Sequence, residues 1–256
     1  MPRVLSALSV LLLAGASVCT SQPRETGFVD RAITFQGAVR RYQVHIPLNY
    51  TRDRAWPVIV FLHGAGERGA DGMRPTELGL GEAIRWHRER FPALIVFPQV
   101  AHADSFWAGA DELMALAALD ATIEEFGGDR DRVYLTGLSM GGFGTWRTAA
   151  EHPERFAAIV PIAAGLLDPL PIGSPPQPAD PYDEVARRVS HIPIWVFHGE
   201  RDSLTVRDAR RYVEALRRRG ADVRYTEYPG VGHDAWTAAY ADPALWTWLL
   251  AQRRRR

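Results

Sequence analysis

Five stretches of the chain are almost wholly apolar over the length of a β-strand: PVIVFLHG (57–64), PALIVFPQ (92–99), RVYLTGLS (132–139), FAAIVPIAA (156–164) and IPIWVFHG (192–199). Continuous runs of this length, several β-branched and most ending in Gly or Pro, predict strands of a parallel sheet covered on both faces. Two earlier segments, FVDRAITF (28–35) and VRRYQVHIP (39–47), instead alternate apolar and polar residues around a turn at Gln36-Gly37. That period of two predicts an antiparallel hairpin of edge strands with one wet face. Between the apolar runs lie helical patterns, at roughly 109–126, where Leu113, Leu116, Ala117, Asp120 and Ile123 keep 3.6-residue spacing, and at 141–151, 205–219 and 241–252. Strands alternating with helices form βαβ units, and right-handed crossovers wind these into a sheet with helices on both sides. The expected class is therefore α/β: a mostly parallel, doubly wound sheet with an antiparallel hairpin at its N-terminal edge. No internal repeat is present. A proline-rich segment, DPLPIGSPPQPADP (168–181), reads as a long loop, either a surface excursion or a wall of a binding site.

Composition narrows the chemistry. With 256 residues and 46 % hydrophobic content the chain can bury one large core, and a single domain is expected over 28–252. Thirty acidic residues balance thirty basic ones, so no net field favours nucleic acid or an anionic membrane. Every basic residue is arginine. The absence of lysine excludes Schiff-base chemistry, Ser-Lys dyads, pyridoxal phosphate attachment and the P-loop lysine. The one cysteine, Cys19, leaves the rest of the chain without a disulfide, a thiol nucleophile or a thiolate metal site. It sits within MPRVLSALSVLLLAGASVCTSQ, where Arg3 precedes an apolar run from Val4 to about Val18 with small residues at Ala14, Ala16 and Thr20. That outline predicts a signal peptide over 1–21 and a secreted or periplasmic protein. The run is shorter than the roughly 20 residues a bilayer requires, so no stable membrane insertion is expected after cleavage. Acylation of Cys19 is the competing reading, weakened by the bulky Val18 before it. The terminal QRRRR reads as a solvated helix end, where positive charge suits the dipole.

One motif stands at a strand end. In TGLSMGGFGTW (136–146), Gly137-Leu138-Ser139-Met140-Gly141 fits G-x-S-x-G, a sharp strand-to-helix turn that lifts a serine oxygen above the sheet. Such a turn strains the serine backbone by on the order of 1–3 kcal/mol and packs the helix so closely that only glycine fits at 137 and 141. It also aims the first helical N–H groups, Met140 first, at the space above Ser139, where negative charge is favoured. An inert glycine-rich turn is the plain alternative for the pentapeptide taken alone. A serine nucleophile needs a base, and the base an orienting carboxylate. IPIWVFHGERD carries Asp202 into the loop after a strand, and YPGVGHDAW sets His233 in a glycine-flanked loop before the last helix. His45, His87, His102, His152 and His191 carry no partner signature and read as surface or structural. His63 and His198, each before a glycine at a strand end, read as scaffolding. Asp168 is the chief rival to Asp202, and Asp234 is expected to point away from its neighbour. The loop HGAGERGAD (63–71) should supply a second backbone N–H, from Ala65 first or Gly66 second. In the same loop Glu67, Arg68 and Asp71 read as braces before substrate contacts. Trp107 and Trp236 are candidates for the wall of an aromatic or acyl pocket, with packing as the alternative.

Taken together, LHGAGERG, TGLSMGGFGTW, HGERD and GVGHDAW, in this order, resemble the α/β-hydrolase superfamily over roughly residues 38–252. More narrowly they are similar to secreted bacterial esterases of the feruloyl esterase and polyhydroxybutyrate depolymerase group, and to the phospholipase/carboxylesterase-like peptidases. The resemblance implies an α/β-hydrolase fold with no large cap domain, with Ser139 as nucleophile, Asp202 as acid, His233 as base, and Ala65 with Met140 as oxyanion donors. It implies ester hydrolysis on a small-molecule or polymer-linked substrate, without metal or organic cofactor. A peptidase and a non-catalytic binding protein on the same fold remain the alternatives.

Overall fold

In the computed structural model, residues 25–165 and 180–254 are described. They build one eight-stranded sheet in the order β1-β2-β4-β3-β5-β6-β7-β8. Strands β1 (Gly27–Phe35) and β2 (Ala38–Ile46) form the expected hairpin about Gln36 and Gly37, both at positive φ. Of these two strands, only β1 is an edge. β2 also pairs antiparallel with β4 (Leu94–Phe97), and its residues from Tyr42 to Ile46 are buried, so the predicted wet face ends halfway along it. From β4 onward the pairing is parallel, through β3 (Trp56–Leu62), β5 (Gly128–Leu138), β6 (Ala158–Ile162), β7 (Ile194–Gly199) and β8 (Val223–Tyr228).

Side chains of the central strands point alternately to two cores. Val58, Val60 and Leu62 face one; Ile59 and Phe61 face the other. The first core is closed by α2 (Ala110–Phe126), α3 (Met140–Glu151), α4 (Pro181–Val189) and α5 (Val206–Arg218). The second is closed by α1 (Leu80–Trp86), α6 (Trp236–Ala241) and α7 (Pro243–Leu250). Both faces of the inner strands are therefore dry, which is why they read as unbroken apolar runs rather than alternations.

Four elements depart from the sequence reading. The helix expected over 241–252 is α7, which Pro243 starts at the first position with the Asp242 carboxylate accepting from Ala244 N, while the six-residue α6 before it was not expected. Strand β8, VRYTEY, shows no continuous apolar run because an edge strand carries polar residues on its open side. Helix α1 has seven residues and is too short to show periodicity. Helix α4 begins at Pro181, the last residue of the proline-rich segment, with Asp180 as its cap. The rest of that segment, with Asp168, and the expected signal peptide lie outside the described residues. Among the described residues no separate cap domain is inserted, and no helix is long and apolar enough to cross a membrane.

The tightest packing occurs where β5 turns into α3. A Cβ added to Gly141 would stand 1.8 Å from the Leu62 carbonyl oxygen, and one on Gly137 would stand 2.3 Å from Gly141 O. These neighbours are backbone and cannot swing aside. Gly141→Ala is expected to cost at least about 3 kcal/mol by forced displacement of α3 from β3. Thermal unfolding should show this as a Tm more than about 6 °C below wild type; a Tm unchanged by the substitution would refute the close approach.

Candidate active site

Ser139 has φ 52° and ψ −120°, a left-handed backbone that side chains rarely adopt. The strain is held in place from both sides: Ser139 N donates to Ile162 O on β6 at 3.0 Å, and Ser139 O accepts from Gly142 N and Phe143 N at 2.9 and 3.1 Å. The turn leaves the hydroxyl at the carboxyl ends of the parallel strands, the usual ligand edge of such a sheet.

Two other segments reach that edge. The loop after β7 carries Asp202, whose side chain is 1 % exposed, and the loop after β8 carries His233, one third exposed. Gly199 lets the two loops touch, since a Cβ there would fall 2.0 Å from Gly232 O. The result is a line of hydrogen bonds: His233 Nε2 lies 2.9 Å from Ser139 Oγ, and His233 Nδ1 lies 2.8 Å from Asp202 Oδ2. An ionised carboxylate can only accept, so the neutral ring carries its proton on Nδ1 and turns the Nε2 lone pair toward the serine. Three groups distant in sequence thus meet in the order hydroxyl, imidazole, carboxylate, the arrangement that can deliver a serine oxygen as a nucleophile.

The surroundings of Asp202 could not be read from the motifs. Its Oδ2 also accepts from His198 Nε2 at 2.9 Å and Thr205 Oγ1 at 3.0 Å, while Oδ1 accepts from Leu204 N at 3.1 Å. Burial pushes the Asp202 carboxyl up, but the bonds from His233, Thr205 and Leu204 outweigh it and hold the group below its ordinary value. Burial likewise lowers His198, against the attraction of Asp202, and favours the neutral ring. His198 therefore scaffolds, as its position suggests, but through the acid rather than through loop backbone. The signal that could have found it is the four-residue spacing from His198 to Asp202 across a strand end.

His63 does bind backbone. Its Nδ1 donates to Gly64 O at 2.6 Å and its Nε2 accepts from Val100 N at 3.0 Å. Burial drives this ring down to about 4, so it stays neutral and fixes the start of the loop carrying Ala65. Ala65 and Gly66 open a short 3-10 turn there and are exposed. Arg68 and Asp71 brace the same loop: Arg68 Nε donates to Ser105 O, and Asp71 Oδ1 accepts from Met73 N and Arg74 N. Met140 is the first residue of α3. Asp234 points away from its neighbour and accepts from Thr237.

The two tryptophans part company. Trp107 is fully buried, edge-on to His63, with its Nε1 donating to His63 O at 2.9 Å. It supports the loop from beneath and lines no open pocket. Trp236 is half-buried and stands edge-on to the His233 ring, centroids 5.3 Å apart.

Sheet order, flanking helices and this site make an α/β-hydrolase fold, and comparison with known proteins agrees. A thermostable esterase of known crystal structure superposes with a TM-score of 0.75 at 32 % identity, over 89 % of this chain and 63 % of that one. The feruloyl esterase module from Clostridium thermocellum, in complex with sinapinate, shares the fold at 14 % identity and a TM-score of 0.66, over 87 % and 86 % of the two chains. Feruloyl esterase B of Neurospora crassa is 26 % identical over 204 residues, covering 75 % of this chain. The chain spans 65 % of that relative's length and 23 % of the next, a secreted protein from Arthroderma benhamiae. The family described as "Putative esterase" matches residues 36–247, and the chain belongs to that family.

Proposed function

We propose that this protein hydrolyses carboxylic esters by a two-step serine mechanism. His233 takes the Ser139 proton as Oγ attacks the ester carbonyl; the tetrahedral oxyanion is bound by the backbone N–H groups of Ala65 and Met140; the imidazolium then protonates the leaving alcohol. Water, activated by the same imidazole, releases the acid from the acyl-serine. Asp202 stays ionised and stabilises the imidazolium. Each oxyanion donor contributes about 3–4 kcal/mol to the transition state. The observation that carries the reading is the pair of hydrogen bonds at His233, 2.9 Å to Ser139 and 2.8 Å to Asp202.

The substrate is a small-molecule or polymer-linked ester. Aromatic acyl groups are favoured by Trp236 beside the base and by the feruloyl esterases among the relatives. No step calls for a metal or organic cofactor. Residues 1–21 act as a signal peptide and 28–252 as one catalytic domain of an exported enzyme, a reading supported by the apolar N-terminal run and by a secreted relative. The test is a panel of nitrophenyl esters, hydroxycinnamate esters and chromogenic peptides. Turnover of the esters, with peptides left intact, is expected; cleavage confined to the peptides would make the protein a peptidase instead.

A further inference from the structure

At the end of α3 remote from Ser139, three metal-ligating side chains meet. Glu151 is the last residue of α3, His152 follows it, and Glu112 reaches across from the first turn of α2. One ligand atom of each lies within 4.8 Å of the other two. Carboxylates gather on protein surfaces without any ligand, so the cluster alone says little. Glu112 is what sets it apart. Its side chain is 1 % exposed, yet Oε1 has no hydrogen-bond partner and faces His152 Nε2 at 3.7 Å. A buried carboxyl oxygen without a hydrogen-bond partner is costly. Arg147 does not satisfy it: its Nε stands 3.8 Å from the other oxygen, Oε2, beyond hydrogen-bond range, and its Nη2 is engaged with Glu151 Oε1 at 2.9 Å.

We infer that Glu112, Glu151 and His152 form a structural site for a divalent transition cation, with Zn²⁺ the best match. Two carboxylates neutralise a double charge, and the negative end of α3 adds to the attraction. The imidazole argues against Mg²⁺ and Ca²⁺, which take oxygen ligands, and for zinc. Bonds of about 2.0–2.2 Å in a tetrahedron hold neighbouring ligand atoms ~3.4 Å apart, so the 3.7 Å between Glu112 Oε1 and His152 Nε2 needs little adjustment. Arg147 holds Glu151 by one oxygen and leaves the other for the ion. Glu151 and His152 are 38 % and 29 % exposed, which gives access from solvent and room for a water as fourth ligand. The ion joins α2 to the far end of the helix that begins at Ser139. It therefore acts on stability and takes no part in the proposed chemistry.

The experiment is calorimetric titration of the chelator-treated protein with ZnCl₂, paired with thermal unfolding. One Zn²⁺ per chain is expected, with Tm raised by about 5–10 °C at a hundredfold excess over Kd. Glu112→Gln and His152→Gln should each abolish binding and the Tm shift while leaving ester turnover unchanged. His152 is partly exposed, so its variant keeps the test valid if the buried Glu112 variant is unstable. His233→Ala, which removes the competing imidazole at the serine, should bind Zn²⁺ as wild type does. Absence of saturable binding would overturn the assignment, as would binding that survives His152→Gln or is lost in His233→Ala.

Discussion

Ser139→Ala is expected to lower kcat on a nitrophenyl ester about a million-fold, with the fold intact. In the proposed mechanism the loss is that large because the imidazole works through the serine oxygen, and little beyond binding and oxyanion stabilisation survives without it. The fold survives because Ser139 is held by backbone. Its N–H bond to Ile162 O and the bonds its carbonyl accepts from Gly142 and Phe143 do not involve the hydroxyl. Alanine at φ 52° bears the same strain as serine there. Equal Tm values for the two proteins, beside the collapse in turnover, separate chemistry from structure. Activity within tenfold of wild type would mean that another group attacks the substrate.

Asp202→Asn should reduce kcat about ten-thousand-fold. An amide cannot accept at its nitrogen, so it either presents NH₂ to His233 and favours the tautomer protonated on Nε2, or turns that NH₂ toward Leu204 N, which Oδ1 now accepts from. A base protonated toward Ser139 cannot take its proton. The same substitution should alter the acid limb of stability. The carboxyl of Asp202 is depressed in the folded protein below its ordinary 3.8. Its contribution is complete above the unfolded value and is lost as pH falls through the folded one. Tm measured from pH 6 downward should thus converge for wild type and variant below pH 3.8. A constant gap across that range would remove the ionic account of Asp202.

The sheet was legible wherever burial was two-sided. PVIVFLHG and IPIWVFHG became β3 and β7, because strands covered on both faces have no choice but apolar residues. Legibility failed where an element has an open side or too few turns. β8 is a half-exposed edge, α1 has seven residues and α6 has six. At the candidate site, Ser139 was visible because glycines must stand beside it for steric reasons, and His233 because its loop opens on Gly230, which holds a positive φ. The company kept by Asp202 was not visible: His198 and Thr205 converge on one oxygen only once β7 and α5 are packed. Tryptophan content could not distinguish Trp107, sealed beneath the loop, from Trp236 beside the imidazole. Burial depends on which strand end a loop crosses, and local pattern does not record that.

The central claim is that Ser139 is made nucleophilic by His233, and the most direct measurement of it is mapping of a fluorophosphonate adduct by mass spectrometry. A single phosphonyl group on Ser139 is expected in the wild-type protein, with labelling slowed by orders of magnitude in His233→Ala. An adduct on any other residue, or no adduct from a protein that still turns over esters, would contradict the account.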